Sequence, residues 1–452
     1  MLLQSIRHLK DPELQPIYQS LVASSNPTLN IHGVLALGEI DPAGHVDINT
    51  IAEMTDTIVQ GQIITNALDS DLLNDEQLAQ LLNWPGLDIG VKLLIMTRKL
   101  NLIDEQAIND LKGALESKKL GRRSLAGYIL NEINQPDGKQ YLNDLDLTDD
   151  SERDAIRQQL LGITLRNQYP AYAPWALKIA KDADVPIKLR NTAIIAALRF
   201  KLPEAEQAWF DLYEGTEKFS VKLRLSYSAL SVSPFIGPAI FEHLSKSDIS
   251  LIKQIGMTGK AVSLQSDDIA DQVIALIETQ HNLAINWAQR YAREYASPDN
   301  ANMILLGIIL SYEKANEKNR EQRLLDSVAA SQSLYDKDPE LAKSVLTEIA
   351  NDPKTHFRLT QAIMLGLVRS RNPGISSLVQ QISSYKSAEA ESLALLIKAR
   401  ESQPLDRKQL EELGLIVRGG SELRESLRIQ AAWLYLKYTQ QTQKAIAAVL
   451  AR

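Results

Sequence analysis

Leucine, alanine, isoleucine and valine recur along this chain at three- and four-residue spacing, as in Ile187, Ala193, Ile194, Ala197 and Leu198. That period lines one face of an α-helix. No alternating apolar–polar stretch of useful length occurs, so strands are not expected. Proline and glycine fall between the apolar segments, at Pro85-Gly86, Pro170, Pro203, Pro234, Pro298, Pro373-Gly374, Pro404 and Gly419-Gly420. Cut at these joints, the chain predicts first helices at about 12–23, 47–54, 75–83, 104–117, 137–144, 170–182 and 203–213. They continue at about 235–245, 267–279, 299–314, 339–350, 374–384 and 405–417. A second helix follows each, giving about 13 helical pairs.

The pairs are related to one another. Lys10-Asp11-Pro12-Glu13-Leu14 returns as Lys337-Asp338-Pro339-Glu340-Leu341, and Asn26-Pro27 then corresponds to Asp352-Pro353. Asp-Pro-Glu-Leu opens a helix for physical reasons. Aspartate caps the first free amides, proline suits the first turn, and glutamate favours the positive end of the helix dipole.

Second helices carry a signature of their own: an apolar residue, a basic one, and often a small residue four places on. Examples are Ile31-His32 with Ala36, Val221-Lys222 with Ser226, Phe357-Arg358 with Ala362 and Leu427-Arg428 with Ala432. From Lys92 through Arg122, Arg157, Lys188 and Lys222 to Lys253 the intervals are 30, 35, 31, 34 and 31 residues. Asp88-Ile89-Gly90-Val91-Lys92-Leu93 and Asp184-Val185-Pro186-Ile187-Lys188-Leu189 share a longer string. On these residues, with Ala193 and Leu198, the chain resembles the HEAT-repeat family of α-solenoids and its armadillo relatives. The resemblance implies an all-α superhelix, continuous from residue 1 to 452, whose second helices line a concave face. One interval is longer. The excess lies in Glu313–Arg323, read as a solvated helix face and loop, with a bend or a docking insertion as the alternative, and any subdomain break is expected at 298–338.

Size and composition fit that picture. A single core stops growing at roughly 250–300 residues, so 452 residues call for several domains or a core spread along repeats. Apolar residues make up 44% and charged residues 23%, an ordinary globular balance. The net charge of −7 argues against a nucleic-acid binder, which needs cations to neutralise phosphates. The longest apolar run, Met303–Leu310, is far short of the ~20 residues of a membrane span. The start, Met1-Leu2-Leu3-Gln4-Ser5-Ile6-Arg7, shows no basic segment leading into an apolar one. A cytoplasmic location is therefore expected, although the absence of cysteine leans toward export.

Little in the chain suggests chemistry. Without cysteine there is no thiolate, disulfide or iron–sulfur ligand. No two of the six histidines stand three or four residues apart. The acidic run Asn143–Glu152 lacks the turn glycine and closing glutamate of a calcium loop, so Thr148 or Asp149 reads as a helix cap. No cofactor, metal site or catalytic residue is expected. The aromatic joint Asn167–Trp175 reads as a wedge between helical pairs, with a partner hot spot as its alternative. The polar start of the last helix, Gln440–Lys444, reads as a solenoid cap with Ile446 and Leu450 turned inward.

The leading expectation is a noncatalytic scaffold for a protein partner. An enzyme on the same repeat, in the manner of HEAT-like bilin lyases or DNA glycosylases, is the alternative, and a structural subunit of a larger assembly is the third. The candidate partner-binding residues are Arg123, Arg157, Lys188, Arg190, Lys222 and Arg224, a basic stripe that fits an acidic partner. Residues two apart on a helix point about 200° away from each other. One member of Lys188/Arg190, and one of Lys222/Arg224, should therefore serve the fold and the other remain freer. The expectation places Lys188 in the fold, paired with Asp184, and leaves Arg190 and Arg224 outward.

Overall fold

The computed structural model describes residues 7, 10–41, 43–145, 150–167, 169–370, 388–401, 404–418 and 425–450. The side chains of 150–151, 388–390, 425–426 and 441–450 lie outside that description, as do Thr148 and Asp149 and the first helix expected at 374–384. The expected inward faces of Ile446 and Leu450 fall outside it too.

Every regular element among the described residues is helical. The chain divides into two compact units, Lys10–Ile240 and Phe241–Arg452. The N-terminal unit contains α1 (Gln15–Val22), α2 (Pro27–Ile40), α3 (Ile48–Ala52), α4 (Thr57–Asp69), α5 (Asp75–Leu82), α6 (Ile89–Arg98) and α7 (Glu105–Leu115). It continues with α8 (Leu120–Glu132), α9 (Pro136–Leu145), α10 (Asp150–Asn167), α11 (Ala173–Lys181), α12 (Ile187–Arg199), α13 (Ala205–Glu214) and α14 (Phe219–Ser231). The boundary falls within α15 (Ala239–Leu244). The C-terminal unit then holds α16 (Ser250–Leu264), α17 (Ile269–Glu278), α18 (Asn282–Glu294), α19 (Pro298–Leu310), α20 (Glu317–Lys337), α21 (Pro339–Asn351) and α22 (Phe357–Arg369). Its last described helices are α23 (Ala388–Arg400), α24 (Arg407–Val417) and α25 (Glu425–Leu450).

Within each unit the packing runs from neighbour to neighbour. In the N-terminal unit the second helices touch in succession, α2 on α4, α4 on α6, and so on to α14. In the C-terminal unit α18, α20, α22, α23 and α25 do the same, and first helix α17 packs on α19. That is the arrangement of an α-solenoid, in which no single centre gathers the core.

Local rules set the helix starts. Asp11 accepts from the Glu13 amide at 3.0 Å, ahead of a short 3₁₀ turn at Pro12–Leu14. Asp338 does the same for Leu341 at 3.0 Å, and Asn26 caps α2 through Thr28 at 3.0 Å. The two Asp-Pro-Glu-Leu copies thus do the same job.

A clamp that the residue pattern did not announce closes several pairs. The fourth residue of the second helix reaches back to a carbonyl at the end of its own first helix. Asn30 donates to the Val22 carbonyl at 2.6 Å, Gln60 to Ile51 at 3.0 Å and Met54 at 2.7 Å, and Arg190 to Ala180 at 2.9 Å. Thr360 reaches Ala350 at 3.5 Å and Arg428 reaches Val417 at 3.2 Å. A helix leaves its last four carbonyls without internal partners, and these side chains satisfy one of them.

Two departures bear on function. Helix α9 lies tightly against α8, the second helix of the preceding pair. A Cβ on Gly138 would stand 2.2 Å from the Asn131 nitrogen, and one on Gly127 would stand 2.0 Å from the Tyr141 ring, so this crossing needs both glycines. Helix α10 is 18 residues long and reaches past α8 to α6, where Asn167 donates to the Thr97 carbonyl at 2.6 Å. In the C-terminal unit a turn at 311–316 leads into one 21-residue helix at 317–337. Arg323, placed by sequence on a solvated face, is fully buried there, because it answers polar groups of the preceding pair.

Candidate partner-binding surface

The six candidate cations fall into two groups. Arg157, on α10, is 5% exposed, lies 3.5 Å from Asp154, and sits 6.0 Å from the centre of the Trp175 ring. Arg190 is the clamp residue of its pair; burial lowers its pKa, opposed by the nearby Asp182. Lys222, in the equivalent fourth position of α14, stands 5.0 Å over the Tyr213 ring at the end of its own first helix. These three are built into the fold.

Arg123, Lys188 and Arg224 are not. Among the described residues none of their side chains makes a hydrogen bond or ion pair, and Lys188 and Arg224 are exposed. The expectation for one pair is thereby reversed: Arg190 serves the fold and Lys188 is the freer member, with no link to Asp184. The reason is position, since the fourth residue of α12 faces the end of α11 and the second does not. For Lys222 and Arg224 the expectation of a freer Arg224 agrees with the geometry.

An ion-pair ladder does connect successive pairs, through other residues. Arg122 grips both oxygens of Asp88 at 2.6 and 2.9 Å, while Asp88 caps α6 through the Gly90 amide at 2.8 Å. Lys92 meets Asp110 at 2.8 Å, Arg98 meets Asp69 at 3.0 Å, and Lys112 meets Asp137 at 3.3 Å. Lys181 pairs with Glu204 in the same way.

The aromatic joint is a wedge. Tyr172 is fully buried, edge-on to Tyr128 with ring centres 5.1 Å apart and tilted against Trp175 at 4.5 Å. Beside it lies Glu132, whose Oε2 accepts from the Ala171 amide at 3.2 Å. Its other oxygen, the amide nitrogen of Asn131 and the Tyr172 hydroxyl are buried without a hydrogen-bond partner among the described residues. Burial raises the Glu132 carboxyl to about 7, against the pull of the Ala171 and Tyr172 amides.

Two recesses flank this joint. One, of about 410 Å³, is lined by Arg153, Arg157 and Lys178 together with Asp154, Asp182 and Asp184, so its charges balance internally. The other, of about 440 Å³, is lined by second helices only: Leu68 from α4, Leu94 and Arg98 from α6, Leu125 from α8, and a long face of α10. Its volume lies in the range of ligand pockets. Among the described residues no acidic one lines it. Among the described residues no cluster of three or more histidines or acids could hold a metal, and no helix is long and apolar enough to cross a membrane.

No family model matches the chain, and no curated protein matches it. Among solved structures it is similar to the crystal structure of Kap121p, at 11% identity and a TM-score of 0.34, over 95% of this chain and 53% of that one. The chain thus spans about half the length of that protein. The all-α solenoid rests on the packing of its own helices.

Proposed function

We propose that this protein is a noncatalytic scaffold that binds an acidic protein partner on the second-helix surface of its N-terminal unit. One observation carries the reading. Arg123, Lys188 and Arg224 stand on α8, α12 and α14 with no ion pair or hydrogen bond among the described residues, in a chain of net charge −7. The neighbouring cations Arg122, Arg190 and Lys222 have structural duties. Charges that the fold does not use are available to a partner, and exposed charges steer association more than they set stability.

The test reverses the three together, Arg123→Glu, Lys188→Glu and Arg224→Glu, and compares the captured proteins from the native source with those of the unaltered chain. Loss of a salt-sensitive partner with an unchanged melting temperature is expected. Capture of the same partner by both forms would refute the assignment.

A further inference from the structure

The 440 Å³ groove contains a feature that packing does not explain. Gly162 lies inside α10, where glycine weakens a helix relative to alanine. At Gly127 and Gly138 a neighbouring chain occupies the space of the missing side chain; a Cβ on Gly162 would meet nothing within 4 Å. Its empty side opens into the groove.

The rest of the lining is ordered around that opening. Leu68, Leu94, Leu125 and Ile163 each show part of their surface, forming an aliphatic shelf drawn from four second helices. Gln158 and Gln159 line the groove one turn before Gly162, exposed and without a side-chain hydrogen bond among the described residues. Arg166 lies one turn after it, exposed and with no acceptor among the described residues. Arg98, at the same end, is already paired with Asp69 at 3.0 Å.

We infer that this groove binds an extended acidic peptide, with peptide backbone over Gly162, aliphatic side chains on the shelf and a carboxylate on Arg166. The inference rests on the scaffold reading and names a second, more specific contact within it. Three features select this occupant. A primary amide offers both a donor and an acceptor, which matches peptide backbone and has no use for a hydrocarbon tail. A glycine lets a backbone approach where any other residue would hold it off. Among the described residues the only unpaired charge in the lining, Arg166, is positive, and guanidinium pairs well with carboxylate. From residue 158 to residue 167 α10 rises about 13 Å, which four extended residues cover.

The experiment pans a randomised heptapeptide library against the full chain, then measures the anisotropy of the selected, fluorescein-labelled peptide. A consensus of aliphatic residues next to Asp or Glu is expected. Arg166→Glu and Gly162→Leu should each weaken that peptide at least tenfold, with the melting temperature equal to or above that of the parent. Gly162→Ala serves as the milder variant, expected to raise melting and weaken binding together. Failure of any peptide to enrich, a consensus without an acid, or equal affinity in the Gly162 variants would overturn the proposal. So would binding of dodecanoate at Arg166 in place of peptide, which would make the groove an amphiphile site. The Arg123/Lys188/Arg224 reversal keeps the two readings separate. Peptide binding retained there, with partner capture lost, supports both, whereas capture lost with no peptide response to Gly162 variants removes the groove alone.

Discussion

Two buried charges at helical joints make an instructive contrast. In the C-terminal unit, Arg323 is fully enclosed and every one of its nitrogens is answered. Nε donates to the Gln280 side chain at 3.1 Å, one terminal nitrogen to Asp326 at 2.5 Å, and the other to the Gln280 carbonyl at 2.9 Å and Asn282 at 2.6 Å. In the N-terminal unit, Glu132 has one oxygen on the amides before α11 and the other without a partner among the described residues. Burial alone therefore does not determine how a charge behaves. With its hydrogen bonds complete, a buried ion holds neighbouring elements in one geometry. A half-satisfied carboxyl is driven toward its neutral form instead.

The sharpest way to break this contrast is Arg323→Met. It leaves Asp326 buried without its cation, and a loss of about 3–5 kcal/mol is expected in denaturant unfolding. Replacing Asp326 by Leu in the same chain should recover part of that loss, because an apolar pair carries no orphaned charge. A loss below 1 kcal/mol for the single change would mean that the network contributes little.

Glu132→Gln should act in the opposite direction. The folded carboxyl titrates at about 7 against an ordinary 4.5, so between those values the folded chain holds a proton that the unfolded chain has released. The contribution of this one group to stability is accordingly greatest at low pH, falls as pH rises through that window, and levels off above it. The glutamine variant should flatten this profile and be more stable at pH 8, by up to about 3 kcal/mol. A profile identical to the parent's would show that Glu132 is ionised at neutral pH.

At smaller scale the contrast separates Arg190 from Lys188. Arg190→Met removes the clamp on the Ala180 carbonyl and should cost about 1 kcal/mol, whereas Lys188→Met should stay within about 0.5 kcal/mol. Equal effects would erase the distinction between built-in and free cations. Arg123→Glu, the least consequential change, should likewise stay within about 0.5 kcal/mol.

Much of the architecture was legible because its causes are local. Asp11-Pro12, Asn26-Pro27 and Asp338-Pro339 announce helix starts by capping chemistry that depends on a few adjacent residues. The apolar period then fixes which side turns inward. What stayed hidden depends on the neighbouring helix. Lys188 and Arg190 look alike until the end of α11 is in place, and Arg323 sits in a charged run whose burial only Gln280 and Asn282 explain. Gly162 reads as a helix blemish in the sequence; its meaning needs Leu68, Leu94 and Leu125, which come from three other helices.

The clamps also bear on how the chain reaches its fold. Their partners are only 8, 9, 10, 10 and 11 residues apart. Contacts that local require closing only short loops, and chains dominated by them fold fast for their size. Each clamped pair can close as soon as its own two helices have left the ribosome, before the next pair exists. Assembly can then follow the order of synthesis, with each finished pair offering its second helix as a surface for the one that follows.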